Sequence, residues 1–413
     1  MKAGHSATLF LVADKERVAV KSYMQDGIFI VEFPDLLVGR LRSGWDPWCT
    51  LRRKQFMNSM DEEFDLIHAF ETRPATIYPV LSYLRSHKMP LVIDWNDWWG
   101  RGGLIKENRP GWYQMLFEPL ETHYEENFRH FGDGHTVVSE ALQDRLETLG
   151  ITENVALVPN GCDPDYFSPR NQPEARSRMG LDANIPILCF TGYDVLSDLD
   201  LVLDAFKIVT EHVGNSKLIL TGRKTSLADR FAKANDLENN IIQTGYLSED
   251  SLRDVVAGSD VCLMPFRKKV SNLGRFPGKL SEYLSMGKPV VSNPVGEVGK
   301  VLCCSGGGML AEENPEDFSD KILSLLGDKE RCIEMGKAAR RYAIAELSWE
   351  KVAGSLLEFY GRVANSFHNG ASFNPNYGLG SVGKTELSAG DSGHQNLGRF
   401  EEVSLFHQRR AFF

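Results

Sequence analysis

The sequence predicts an α/β protein of two successive halves, each built on a parallel sheet. Three observations predict it. At 413 residues the chain can bury two substantial cores. Short apolar runs alternate with segments of helical period, the pattern of βαβ units. A polar stretch, Ser168–Asp182, with Pro164, Pro169 and Pro173 in or beside it, separates the two series and reads as a linker.

Composition is that of a globular protein, with 42% apolar and 25% charged residues. A net charge of −10 argues against a non-specific nucleic-acid binder, which needs clustered cations. No run is long and apolar enough to read as a membrane span, and no secretory signal precedes the first apolar strand. The cysteines at 49, 162, 189, 262, 303, 304 and 332 include no C-x-x-C pair, and several sit in apolar runs. They predict buried thiols, a reducing cytoplasm and no structural zinc.

In the first half, strands are expected at Ser6–Val12, Ile28–Phe33, Leu66–Phe70 and Leu91–Asp94, with a helix over Pro74–His87. Segment 38–58 mixes Trp45, Trp48 and Phe56 with Arg40, Arg42, Arg52, Arg53 and Lys54 against the single acid Asp46. Such a mixture suits contact with a membrane surface or an anionic acceptor; a helix and loop with its aromatics in the core and its charges solvated is the favoured reading. Asp94-Trp95-Asn96-Asp97-Trp98-Trp99-Gly100 lies at the carboxyl end of a strand, where doubly wound sheets bind ligands. Its tryptophans could be packing, but two carboxylates and an amide among them favour a site. A helix is expected over Glu118–Arg129, a strand over Gly134–Ser139, a helix over Glu140–Leu149 capped by Ser139, and a strand over Val155–Val158.

The second half repeats the pattern. Strand Ile187–Thr191 ends in Gly192, Lys217–Thr221 in Gly222-Arg223-Lys224, Ile241–Thr244 in Gly245-Tyr246, and Val261–Pro265 in Phe266-Arg267-Lys268-Lys269. Strand after strand delivers a glycine or a cation at its carboxyl end, as a diphosphate site requires. The stretch Gly274–Gly296 follows. Its polar loop opens a short helix, Gly278–Met286, with Leu280, Tyr283 and Leu284 at helical spacing and Lys279 and Glu282 beside the helix start. Alone, it reads equally as a ligand site or as an ordinary loop–helix–strand unit. Helices Pro315–Leu326, Glu330–Leu347 and Trp349–Ala364 follow. Residues 365–413, rich in Gly, Ser and Asn, read as a disordered tail.

With these residues quoted, the chain resembles the retaining GT-B glycosyltransferases of the group 1 / family 4 type, which use nucleotide sugars. The match rests on PNGCD at 159–163, FTG at 190–192, TGYLSEDSL at 244–252, SDVCLMPF at 259–266 and PGKLSEYLSMGKPVV at 277–291, in family order. The resemblance implies two Rossmann-like domains facing across a cleft. The acceptor-binding domain would span 1–168, a linker 169–183 and the nucleotide-sugar domain 184–347, with a crossover helix over 348–364. It implies Glu282 on the ribose, Gly245 and Tyr246 at the base, Gly192 at the phosphates, and the loop Gly274–Phe276–Pro277–Gly278 on phosphate and sugar. Asn272 and Leu280 belong to the same implied donor site. Phosphate charge is expected from Lys279 and Arg275, with Arg223, Lys224, Arg267 and Lys268 as further cations. Asn96 and Asp97 are expected on the sugar or acceptor side.

The sequence departs from the family pattern at four places. Gly274 stands where members usually carry a second Glu, and Asn96 where they commonly carry a His. Tyr193, Asp194, Ser197 and Asp198 occupy a loop that often holds an Arg and a Lys. Gly4-His5-Ser6 matches the start of the family's second strand, so the first strand, Gly-rich loop and first helix are expected to be missing and Met1 to be an internal start or fragment boundary. The implied reaction transfers a sugar to a hydroxyl with retention, needing no metal and no cofactor beyond the donor. The implied partners are a nucleotide sugar, a saccharide or lipid-linked acceptor and the inner face of a membrane. A non-catalytic binding protein of the same fold is the main alternative; an epimerase or phosphorylase is a second, for which no motif is found.

Overall fold

The computed structural model describes residues 4–13, 18–35, 44–60, 62–107, 109–193 and 198–370. The first elements are strands β1 (Thr8–Val12), β2 (Lys21–Gln25) and β3 (Ile28–Phe33), in sheet order β1-β3-β2. β1 runs parallel to β3, but β2 pairs with it antiparallel. The expectation of a purely parallel arrangement fails here for a local reason. Asp26 and Gly27 both take positive φ, 51° and 77°, the Asp-Gly hairpin turn that the right-handed twist of two antiparallel strands favours.

Helix α1 (Pro47–Asn58) follows, capped by Asp46, whose Oδ1 accepts from the amides of Trp48 and Cys49. Then come β4 (Ile67–Phe70), α2 (Pro74–Leu84), β5 (Leu91–Trp95), α3 (Gly111–Asn127), β6 (Gly134–Val137), α4 (Glu140–Thr148) and β7 (Val155–Leu157). Strands β4-β5-β6-β7 form a parallel sheet in that order. α3 begins seven residues before the predicted Glu118. Its first turns carry Trp112, Met115 and Leu116 at helical spacing, and all three are exposed.

The stretch expected to be a linker is packed. It contains α5 (Gln172–Arg178), and buried Arg176 donates to the carbonyls of Gly258, Ala183 and Ile185 and pairs with Asp260 at 2.8 Å. The second half runs β8 (Ile187–Tyr193), α6 (Leu199–His212), β9 (Lys217–Gly222), α7 (Ser226–Ala234), β10 (Ile241–Gly245), α8 (Glu249–Gly258), β11 (Val261–Met264), α9 (Val270–Leu273), α10 (Gly278–Ser285), β12 (Val290–Ser292), α11 (Gly296–Ser305) and β13 (Gly308–Leu310). Its parallel sheet has the order β10-β9-β8-β11-β12-β13. The chain fills one side of β8 with β9 and β10, then crosses to the other side with β11. β8 and β11 therefore flank a topological switch point, where the crevice at the strand carboxyl ends opens.

Three helices close the described chain: α12 (Pro315–Leu326), α13 (Lys329–Glu346) and α14 (Trp349–His368). α14 continues four residues past the predicted Ala364. Its Phe359 and Val363 pack on Val92 of the first half's sheet. Tyr360 reaches the same sheet. His68 is half-buried between the sheet and α14, and this desolvation depresses its pKa to about 3 and leaves it neutral. One hydrogen-bond direction then satisfies every group: Tyr360 Oη donates to His68 Nδ1 (2.6 Å), Nε2 donates to Thr136 Oγ1 (3.1 Å), and Oγ1 donates to Asp94 (2.5 Å). One apolar core also spans both halves, joining Trp95, Val138 and Leu142 to Leu280, Val290 and Val298. No helix among the described residues is long and apolar enough to cross a membrane.

Candidate active site

The crevice at the switch point is built largely from backbone. Gly192 is the last residue but one of β8 with φ 56°, Gly222 ends β9 with φ 120° and Gly245 ends β10 with φ 77°, all in the left-handed region that side chains resist. α10 is driven against β8 by its apolar face. Leu280, Tyr283 and Leu284 are fully buried, each stabilising the docked helix by roughly 1.5–3 kcal/mol. The Tyr283 hydroxyl is within 2.8 Å of the Thr191 amide and 2.7 Å of its Oγ1, fixing α10 in register with β8. That docking lays Lys279 across the crevice. Its Nζ donates to the Gly192 carbonyl, and a Cβ at residue 192 would meet its Cε at 2.5 Å. The helix N-cap is Pro277, with no side-chain cap and no acid in the first turn, so the first amides of α10 and the Lys279 charge lie together.

The other expected donor residues divide into groups. Arg223 and Lys224 are exposed beyond β9, and Tyr246 is 83% exposed beyond β10. Glu282 lies one turn along α10 from Gly278, partly exposed. Arg267 is engaged elsewhere, by Asp200 at 2.6 Å and Asp198 at 3.8 Å. Lys268 donates its backbone amide to Glu313 at 2.5 Å. Asn272, 1% exposed, is a brace: its Nδ2 donates to the Arg267 carbonyl (2.7 Å) and its Oδ1 accepts from Arg275 (2.6 Å). The side chains of Phe276 and Leu280 lie in the core, so any contact of theirs with a ligand is through backbone. Residues 194–197 of the loop after β8 lie outside the described residues.

Gly274 has a tertiary cause. A Cβ there would stand 2.5 Å from the Trp98 Cβ and 3.3 Å from its backbone nitrogen. The loop after β5 thus sits directly on the donor loop, and a side chain at 274 would push the two halves apart. That loop is shaped by buried Glu125, which accepts from Trp95 Nε1 (2.9 Å) and from the amides of Trp99 (2.8 Å) and Gly100 (2.7 Å). Trp95 and Trp98 are packing residues, whereas Asn96 and Asp97 are partly exposed and make no hydrogen bond among the described residues. Burial, reinforced by the charge of Glu71, pushes the Asp97 carboxyl up to about 7 against the opposing pull of Arg275 and Arg73.

Sequence reasoning missed four contributors. Asn160, inside PNGCD, donates to the Phe276 carbonyl at 2.7 Å and accepts from Ser281 Oγ at 2.7 Å, tying the donor loop to the first half. Asp198, 2% exposed, gathers Arg267, Lys269 and Asn272. Glu71 and Arg73 follow β4, between the expected strand and helix, and lay outside every quoted stretch. Of these, only Asn160 lay in a quoted motif.

Of the aromatic and cationic segment 38–58, the described residues 44–58 divide between core and surface. Residues 36–43 lie outside the described residues. Arg53 is buried and donates to the Ala75 carbonyl, Phe56 packs on Phe10 and Phe33, and Trp48 and Leu51 are left exposed. A larger apolar surface lies on α3, where Trp112, Met115, Leu116 and Leu120 share one exposed face.

Comparisons with known proteins bear on the whole arrangement. Two family models match in succession, Glycosyltransferase Family 4 over residues 1–166 and Glycosyl transferases group 1 over residues 185–328. The GDP-mannose-dependent alpha-(1-6)-phosphatidylinositol monomannoside mannosyltransferase of Mycobacterium tuberculosis is 25% identical over 245 residues, 56% of this chain and 63% of that one. The D-inositol 3-phosphate glycosyltransferase of Segniliparus rotundus is 26% identical over 220 residues, 50% and 47% of the two chains. The chain thus spans less than two thirds of the length of these curated relatives. Among solved structures, sucrose-phosphate synthase from Thermosynechococcus elongatus superposes with a TM-score of 0.71 at 16% identity, covering 88% of this chain and 90% of that one. Anabaena HepE in complex with UDP-glucose superposes with a TM-score of 0.61 at 14% identity, covering 88% and 100%. Matched in both halves and sharing the GT-B fold, the chain belongs to the group 1 glycosyltransferases.

Proposed function

We propose that this protein transfers a hexosyl group from a nucleoside-diphosphate sugar to an acceptor hydroxyl, with retention of anomeric configuration. The observation that carries the reading is the convergence of the α10 N-terminus and Lys279 on Gly192 at the switch point. Amides and a cation there suit the diphosphate, the group on which negative charge develops as it leaves. The bond between the anomeric carbon and the phosphate oxygen breaks while the bond to the acceptor oxygen forms on the same face. The acceptor proton passes to the departing phosphate oxygen. Arg275, braced by Asn272, adds a second cation, and Glu282 takes the ribose hydroxyls as an ionised acceptor of hydrogen bonds.

The acceptor is a hydroxyl of a saccharide or a lipid-linked glycoside, and the exposed face of α3 rests on the membrane that carries it. This reading is supported by the uncharged row Trp112, Met115, Leu116, Pro119 and Leu120 and by the glycolipid acceptor named for the mycobacterial relative. Co-sedimentation with liposomes tests that surface; binding unchanged by Trp112→Glu with Leu116→Glu would refute it.

A non-catalytic reading draws support from Arg267, whose charge is taken by two aspartates. Incubation with UDP-, GDP- and ADP-hexoses decides between the two, with products followed by NMR. Hydrolysis or transfer giving an initial product of the donor's configuration supports the enzyme; tight donor binding with no turnover across the panel supports the binding protein.

A further inference from the structure

We propose that Glu71 is a specificity-determining residue of the acceptor side, forming with Asp97 a carboxylate pair that selects an uncharged polyol over a phosphorylated one. The inference rests on the reading of the cleft as a glycosyl-transfer site and names the class of acceptor.

β4 and β5 are neighbouring parallel strands, with Phe70 opposite Asp94, so Glu71 and the loop carrying Asp97 leave the sheet side by side. That loop touches the donor loop through Trp98 and Gly274. Glu71 takes φ 70°, a conformation that disfavours a side-chain-bearing residue, and holds it at a strand end facing a cleft. Its carboxylate is 3.2 Å from Arg73 Nη1 and remains 22% exposed. Arg73 cannot serve an incoming anion as well. Its other arm pairs with buried Glu121 at 3.1 Å, and its guanidinium lies 4.2 Å from the Trp99 ring centroid. Asp97 is partly exposed and makes no hydrogen bond among the described residues, so its acceptor capacity is open to a ligand.

Glu71, whose arginine is already committed to Glu121, and Asp97, which burial lifts to about 7 against the pull of Arg275 and Arg73, leave this end of the cleft net negative at and above neutral pH. Such groups accept hydrogen bonds from vicinal hydroxyls of a sugar or cyclitol, and they repel a phosphate monoester. Of the cations suited to phosphate, Lys279 lies across Gly192 on the donor side, and Arg275, whose charge also reaches Asp97, is held by Asn272 on the donor loop.

The test uses the full chain saturated with nucleoside diphosphate. Binding of methyl α-mannoside, myo-inositol and myo-inositol 1-phosphate is measured by saturation-transfer NMR, which needs no turnover. The wild type is expected to bind at least one neutral polyol about tenfold or more tightly than the phosphate. Glu71→Gln weakens the neutral ligand while nucleotide-induced thermal stabilisation stays unchanged. Glu71→Gly, which suits the positive φ, gives the same loss in a fold relieved of strain. Glu71→Lys inverts the preference toward the phosphate. Equal or tighter binding of the phosphate by the wild type, no polyol binding, or a preference untouched by all three variants overturns the proposal. Loss of nucleotide stabilisation in the wild type would instead count against the donor reading.

Discussion

The two halves meet the cleft with different chemistry. The second half offers backbone: three glycines with positive φ at strand ends, the first amides of α10 and one lysine laid across Gly192. The first half offers side chains, Asn96, Asp97 and Glu71, held by buried partners such as Glu125 and Glu121. The difference matches what each side would hold. A diphosphate is bound well by amides and a cation whatever sugar it carries, while an acceptor is told apart by particular carboxylates and amides. Among the second half's arginines, Arg267 is consumed by Asp198 and Asp200.

Reversing the lysine's charge should break the second half's role most severely. Lys279→Glu is expected to lower donor turnover by at least about a hundred- to a thousandfold, with the circular dichroism spectrum and melting midpoint near those of the wild type. Next, a side chain at the contact between the halves should be costly. Gly274→Glu restores the residue type that family members carry, yet it should destabilise by about 1–3 kcal/mol by displacing Trp98, and it should lower activity rather than raise it. Near-normal stability and rate would show that the two loops do not need to touch.

The first half should betray itself in pH dependence. The Asp97 carboxyl sits at about 7 when folded, above the ordinary value near 4 of an unfolded chain. The folded state therefore holds the proton more tightly, and that contribution to stability is present below pH 4 and lost as pH rises through 7. Asp97→Asn should gain on the wild type across that window, by on the order of 1–2 kcal/mol at pH 8, measured as melting curves from pH 4 to 8. The charges of Glu71, Glu125, Arg73 and Arg275 face the same carboxyl, so the comparison is between variant and wild type at each pH.

Smaller effects are expected where a residue only ties the halves together. Asn160→Ala leaves the Phe276 carbonyl without its partner and should raise the donor KM several-fold, a loss of about 1 kcal/mol. Tyr360→Phe removes the first donor of the chain through His68 and Thr136 and should cost about 1 kcal/mol of stability in urea melts, with catalysis unchanged.

Much of the second half was legible in the sequence, because left-handed backbone at a strand end demands glycine and apolar strands between such glycines stand out. Gly192, Gly222 and Gly245 are read this way. The first half was harder to read. The Asp26-Gly27 hairpin signal went unread, and so did the helical spacing of Trp112, Met115 and Leu116, whose apolar face points to solvent rather than to the core. α5 was hidden in a stretch whose charges look solvated, yet buried Arg176 is satisfied by carbonyls and an aspartate distant in sequence. Gly274 looked like a missing carboxylate; only the fold brings Trp98 onto it. The roles of Glu71 and Arg73 likewise depend on neighbours that β4 and β5 bring together.

The central claim is that the diphosphate binds where α10 meets β8. Calorimetric titration of the wild type and Lys279→Glu with UDP, GDP and ADP tests it most directly. The account predicts saturable binding of at least one diphosphate by the wild type and a loss of about tenfold or more in the variant. Equal affinities for the two proteins, or no binding of any diphosphate by the wild type, would contradict it.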